Sequence, residues 1–354
     1  MRRFGWVVEP FTPKLALWVR RPRSLYRDFP MTPAAHALLD GLIDYAGLFP
    51  PAALDLEGAV DHYARHRTSR EAWMLQRFIT PAALLARDAG LDGHVEQHGG
   101  MPWHFSVLGL SRDDGESWLD AARRTLEVAH AFDARHDGAT ACDRFEIKLP
   151  ADLASDHGAL VSVLTDLEAA YRERGDAAPR AALEVALDDR NVLEVAADAT
   201  VEVNRRADRP AFALKFRCGG VTPDLVPSVE QVAGAVSTAI QAGAPFKATA
   251  GLHHPLPNHD AAVGARMHGF LGVFGGAALA RLHGLRADDL AEIVDDDDPA
   301  SWSIEDGLRW RSLRATAAEV ADARQQSALS FGSCSFEEPL EDLEAMGWLG
   351  KVNE

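Results

Sequence analysis

The sequence predicts an α/β protein built as a closed (β/α)8 barrel of the TIM type. From residue 40 onward, short apolar runs alternate with longer amphipathic ones, which implies a parallel sheet wrapped in helices. The alternation yields eight strand candidates, at spacings of roughly 30–40 residues, which is the repeat such a barrel needs. The chain has 354 residues, 47% hydrophobic and 25% charged, enough for one large core. An open doubly wound sheet is the alternative assembly of the same units.

Residues 1–30 stand apart from the rest. They hold seven basic residues against two acidic ones, a net +5 that leaves −22 on the remainder of a chain whose total is −17. RRFGWVV suggests a twin-arginine export signal, but Glu9, Pro10, Pro13 and Lys14 break the apolar run that must follow. The stretch reads as a disordered tail, or as a start placed too early with Met31 the true first residue. MTPAAHALLDGL then opens a helix, with Thr32 as N-cap and Pro33 at the first helical position.

Residues 31–354 read as a single barrel domain. Its strands fall at 42–49, 73–80, 103–110, 144–150, 181–187, 211–218, 246–252 and 329–336. Between them lie helical patterns such as SWLDAARRTLEVAHAF and HGALVSVLTDLEAAYRERG. In SVEQVAGAVSTAI, Val229, Val232, Ala233 and Val236 share one face behind a serine cap. HGFLGVFGGAALARL (268–282) is apolar nearly all round and holds four glycines. It reads as a tightly packed helix after the seventh strand, with a strand, or a contact with a second copy of the chain, as alternatives. Residues 283–328 exceed a simple turn and read as an inserted helical piece before the eighth strand, with Asp295–Asp298 a solvated loop.

Composition excludes several partners. No apolar run reaches 18 residues, so no helix spans a membrane. The acidic surface argues against nucleic acid and anionic lipid. Cys142, Cys218 and Cys334 lie far apart without CxxC spacing, which fits neither a disulfide framework nor a zinc site and suggests a reducing, cytoplasmic setting. Cys218 and Cys334 read as small buried hydrophobes rather than nucleophiles. No GxSxG, Walker or GxGxxG element is present.

Charges inside the strands carry the functional signal. Strands of a parallel barrel are buried on both faces, and a charge turned toward the helices would cost several kcal/mol. The tolerable place is the interior near the C-terminal rim, where active sites of this fold sit. The alternation obeys this. Phe212, Leu214 and Phe216 share one face while Lys215 and Arg217 share the other. Lys247, Thr249 and Gly251 alternate with Phe246, Ala248 and Ala250, and Glu146 and Lys148 alternate with Phe145, Ile147 and Leu149. Glu184 and Asp44 follow the same rule, although Asp44 also suits the proline-rich turn after it. The interior thus collects Lys148, Lys215, Arg217 and Lys247 against Asp44, Glu146 and Glu184, with Arg77 as a possible fifth cation. Excess cations, and glycines at the strand ends (Gly219, Gly220, Gly251), point to a small anionic ligand, carboxylate or phosphate. A self-neutralising network that only fixes the barrel is the competing reading. Ser333 and Ser335, with Gly332, are further candidates for phosphate oxygens.

A lysine crowded by other cations in a dry interior has its amine pKa lowered and can attack a carbonyl to form a Schiff base. Lys247, tuned by Lys215, suits that role, with Glu146 or a histidine moving protons. K-A-T-A-G (247–251) resembles the K-T-S-T-G stretch of deoxyribose-phosphate aldolases, and K-F-R-C-G-G-V (215–221) is similar to their K-A-S-G-G-V stretch. That resemblance implies Lys247 as nucleophile, Lys215 as tuning lysine, and Gly219 and Gly220 as contacts for the substrate's anion. It covers about a dozen residues, in the reverse order along the chain.

The expectation is a lyase or aldolase-like enzyme acting on a small anionic carbonyl compound without a cofactor. The alternatives are a metal-assisted lyase or hydrolase holding a divalent metal through His253, His254 and His268, with His259 able to join, and a barrel that only binds an anionic metabolite.

Overall fold

The computed structural model describes residues 31–86, 90–98, 100–175 and 178–350, so the basic first 30 residues lie outside the described part. Eight parallel strands close into a barrel: β1 (Ile43–Tyr45), β2 (Leu75–Pro81), β3 (Trp103–Leu108), β4 (Thr140–Lys148), β5 (Arg180–Glu184), β6 (Phe212–Arg217), β7 (Phe246–Thr249) and β8 (Ala328–Ser333). Each pairs with its neighbours in sequence, and β8 closes on β1 through Ile43↔Phe331 and Asp44↔Gly332. All eight expected strands form, and the doubly wound alternative falls away.

The period-2 pattern has the anticipated outcome. Phe212, Leu214, Phe216 and Phe246 turn outward and are fully buried under the helices. Phe216 stacks on Phe246 at 5.4 Å between ring centroids, Phe246 meets Phe274 at 5.7 Å, and Phe274 meets Phe331 at 5.7 Å. Each such ring contributes roughly 1.5–3 kcal/mol by leaving water. Phe274 comes from the glycine-rich segment, which folds as a π-helical turn (Leu271–Gly275) running into an α-helix (Gly276–His283). Its glycines let it sit close: a Cβ on Gly272 would lie 2.9 Å from the Val294 backbone, and one on Gly276 would lie 2.9 Å from Leu290. Leu271 to Ala280 are all buried within the chain.

Helix starts follow their caps. Thr32 accepts from Ala35 N at the head of Pro33–Leu39, and Ser228 and Gln231 form a reciprocal capping box at the head of Val229–Ala242. The stretch before β8 departs from expectation. It holds a helix (Ala287–Asp295) and another (Ala317–Gln326), but between them lies a three-stranded antiparallel sheet of Trp302–Ser303, Leu308–Trp310 and Leu313–Ala315. The acidic run ends the helix at Asp295 and continues as a largely exposed loop, as expected, but its carboxylates are engaged. Asp296 is held by Trp310 Nε1 at 3.0 Å and Arg311 Nη2 at 3.1 Å, Asp297 by Arg266 at 2.8 Å, and Asp298 caps a 3-10 turn. Among the described residues no helix is long and apolar enough to cross a membrane.

Candidate active site

The inward residues of the strands stack in tiers. The lowest tier, toward the N-terminal end, was only partly legible. A bulge puts one extra residue, Asp143, between the pairs Phe105↔Cys142 and Ser106↔Arg144. The bulge re-aims Asp143, which receives Arg77 Nε at 2.6 Å and His104 Nδ1 at 2.9 Å. Burial pushes the Asp143 carboxyl up, but Arg77 and the His104 hydrogen bond outweigh it and hold it well below the usual range. Arg144 and Arg180 stand nearby. Burial first, then Arg77 and Arg180, push the Arg144 guanidinium down to about 9.

The middle tier holds the strand-borne lysines. Lys148, Glu184, Lys215 and Lys247 occupy one register row across four adjacent strands. Lys247 Nζ lies 2.5 Å from Asp44 Oδ2 and 2.6 Å from Glu146 Oε1, and its side chain is 1% exposed. Lys215 Nζ lies 2.8 Å from Glu146 Oε2 and 2.9 Å from Glu184 Oε2. Ser106 Oγ donates to Glu146 Oε1 at 2.6 Å, and Ser330 Oγ donates to Asp44 Oδ2 at 2.8 Å. Asp44 therefore serves this lattice and not the proline-rich turn. Glu146 bridges both ammonium groups. Burial raises its pKa, but Lys215 and Lys247 overcome that and hold it well below the ordinary carboxylate range. Burial works against the charge on Lys215, and Glu146 and Glu184 outweigh it, so its pKa is raised.

Two expectations are corrected here. The lysine lattice by itself is two lysines against three carboxylates, so the cations within it are matched by acids. Lys215 does not tune Lys247 by repulsion, because each amine is engaged by two carboxylates. Arg217 and Lys148 are exposed, and among the described residues neither side chain has an acidic partner. The lattice is closed on one side and open on the other. Over Asp44 and Lys247, a Cβ on Gly332 would meet Ile79 Cδ1 at 2.8 Å and Thr249 Oγ1 at 3.0 Å, so this side is packed shut. On the other side Glu184 keeps a 16% exposed side chain; Lys148 is its register partner, and Arg217 lies two residues beyond Lys215 on β6.

The glycines answer to packing. A Cβ on Gly219 would lie 2.8 Å from both Gly251 Cα and Met267 Cε, and one on Gly220 would lie 2.2 Å from Leu225 Cβ. The close approach is between the ends of β6 and β7 themselves, and Gly251 also has φ +72°. Ser333 and Ser335 are occupied locally: Ser333 Oγ accepts from Ser335 N at 3.3 Å, and Ser335 Oγ accepts from Glu338 N at 3.2 Å. His253 and His254 diverge. His253 Nδ1 meets Glu338 Oε2 at 2.8 Å and its Nε2 lies 3.6 Å from Cys334 Sγ, whereas His254 Nδ1 meets Asp342 Oδ2 at 2.6 Å. His268 Nε2 bonds to Pro227 O at 2.8 Å. They do not converge, and among the described residues no group of three or more His, Cys, Asp or Glu is placed to hold a metal ion.

No protein-family model matches the chain, and no curated protein matches it. One solved structure that does match is a xylose isomerase-like TIM barrel/4-hydroxyphenylpyruvate dioxygenase fusion protein. It is 15% identical, with 75% of this chain and 47% of that one covered and a TM-score of 0.34. The chain spans about half the length of that protein. The barrel is established by its own strand pairing, and the aldolase-like stretches at 215–221 and 247–251 find no support in the comparisons.

Proposed function

We propose that this protein is a barrel enzyme that moves a proton on a small anionic carbonyl compound, a reaction of lyase or isomerase type. The observation that carries the reading is the placement of Lys215 between Glu146 and the half-buried Glu184, with two exposed cations near them in sequence and register, Lys148 beside Glu184 and Arg217 two residues beyond Lys215, neither with an acidic partner among the described residues. Arg217 suits a forked contact with a carboxylate or phosphate, and Lys148 suits a point charge beside it. The Lys215 ammonium polarises the carbonyl oxygen, and Glu184 takes the proton from the neighbouring carbon. Glu146, Lys247 and Asp44 hold Lys215 in place and spread its charge through the lattice.

The test is deuterium exchange by proton NMR in D2O over a panel of phosphorylated and carboxylated carbonyl compounds. At least one should exchange at the carbon next to its carbonyl. Glu184→Gln should lower the rate by roughly 10²–10⁴-fold while ligand-induced thermal stabilisation persists. Arg217→Met should lose the stabilisation. Stabilisation without exchange for any compound would leave a binding barrel and remove the enzyme reading.

A Schiff base on Lys247 is the second reading. It is favoured by the central position of that amine, with Asp44 and Glu146 at hand to move protons from a carbinolamine. It requires a bound substrate to displace one carboxylate. Borohydride reduction with the same panel should then add the carbonyl carbon skeleton to Lys247, and no adduct across the panel discards it.

A further inference from the structure

Beyond the lysine lattice, the rim carries a second chemical constellation. Cys334 follows the last residue of β8, and His253 lies in the loop after β7, its neighbour in the barrel. Cys334 Sγ lies 3.6 Å from His253 Nε2, and His253 Nδ1 lies 2.8 Å from Glu338 Oε2. Glu338 sits in the first turn of the helix Glu337–Ala345 and has a 48% exposed side chain, while that of His253 is 16% exposed. The site is therefore open on its carboxylate side, while Cys334 itself is 8% exposed, as Cys142 is, so it is the imidazole and not exposure that sets Cys334 apart.

We infer that Cys334, His253 and Glu338 form a nucleophilic thiol site that accepts an acyl group from a small activated ester or thioester. The roles follow from the order of contacts. Glu338 accepts the Nδ1 proton and fixes the tautomer, which leaves Nε2 free to take the thiol proton. The sulfur then bonds to the carbonyl carbon, the bond from that carbon to the leaving oxygen or sulfur breaks, and the proton on His253 departs with the leaving group. Water completes the cycle. His253 takes a proton from it, the hydroxide displaces the sulfur, the carboxylic acid leaves, and the thiol regains its proton. Burial pushes His253 down, but its hydrogen bonds to Cys334 and Glu338 outweigh it and raise it to about 10.

The other two cysteines are internal controls. Cys218 is fully buried and burial pushes its thiol up to about 12, and burial followed by the Asp133 charge raises Cys142. Among the described residues neither thiol has a hydrogen bond to an imidazole.

The experiment uses the full chain. Iodoacetamide at pH 6.5, followed by peptide mass mapping, should label Cys334 at least about tenfold faster than Cys142 or Cys218. 4-Nitrophenyl acetate should release about one nitrophenolate per chain in a burst and leave one acetyl group on the Cys334 peptide. Cys334→Ser should abolish the acetyl adduct, and His253→Gln should slow its formation by roughly 10²-fold or more. Glu338→Gln should slow it less. Equal labelling of the three cysteines in the native protein overturns the inference without reliance on any variant. So does an acetyl adduct that forms at an unchanged rate in His253→Gln. Selective alkylation with no acetyl adduct overturns it too, because acyl transfer and not mere reactivity is what the triad is assigned.

Discussion

Glu146 has to satisfy two ammonium groups and a serine hydroxyl from inside the barrel. Removing one partner from such a buried set leaves a charge without relief, at a cost of about 3–5 kcal/mol. Glu146→Gln should lower unfolding free energy at pH 7 by that amount, read from the urea midpoint at constant slope. The pH dependence has a definite sign. Glu146 and Asp143 are both depressed on folding, so they bind fewer protons in the native state than in the unfolded one. Their contribution is present above the unfolded value of about 4.3 for Glu and 3.9 for Asp, and it is lost as pH falls from there toward the folded values. The urea midpoint should decline below about pH 4–5, and less steeply in Glu146→Gln. Lys215 acts at the other end: its raised pKa keeps its contribution intact below about 10.4, and the loss comes only as pH rises through the folded value.

At the scale of elements, the ends of β6 and β7 meet glycine to glycine. Gly219→Ala should force them apart and lower stability by about 1–3 kcal/mol, seen as a lower melting temperature. Gly234, inside the helix Val229–Ala242, has nothing within 4 Å of an added Cβ. Gly234→Ala should therefore raise stability by about 1 kcal/mol in the same assay. These elements were legible because period 2 and period 3.6 are written plainly in their apolar residues. The strands containing Lys215 and Lys247 could be placed to within two or three residues, and their inward face was read correctly. What escaped had weaker periodicity. The bulge at Asp143 breaks the alternation at the start of β4, so Asp143, Arg144 and, across the register, Arg180 were not assigned to the interior. The sheet at 302–315 has strands of two or three residues, too short to show any period. The partners of each lysine could not be counted either, since rim or interior depends on how far each strand runs. The Cys334–His253 contact joins residues 81 apart in sequence, and only the pairing of β7 with β8 brings them together.

At the scale of the molecule, the barrel closes where β8 meets β1, and Arg324 fastens that seam from below. Its buried guanidinium donates to Leu38 O at 2.8 Å and Asp40 O at 3.2 Å, and also to the carbonyls of Ala328 and Leu329. Arg324→Met would take that donor from the buried carbonyls of Leu38 and Ala328 and from the partly buried ones of Leu329 and Asp40. At roughly 1–3 kcal/mol for each unsatisfied group, a loss of at least about 3 kcal/mol is expected in chemical denaturation. The far-UV circular dichroism of the folded variant should be unchanged, since the strands themselves remain.

The ionic filling of the cylinder also bears on calorimetry. Hydrating aliphatic and aromatic groups raises heat capacity, whereas hydrating ionic and polar groups lowers it. Where many barrels hold methyl groups, this one holds Asp44, Glu146, Lys215 and Lys247. Its heat-capacity increment of unfolding should therefore fall below the usual figure of about 12–15 cal/mol/K per residue. The dome of free energy against temperature would be correspondingly shallow, with cold and warmth each eroding it slowly.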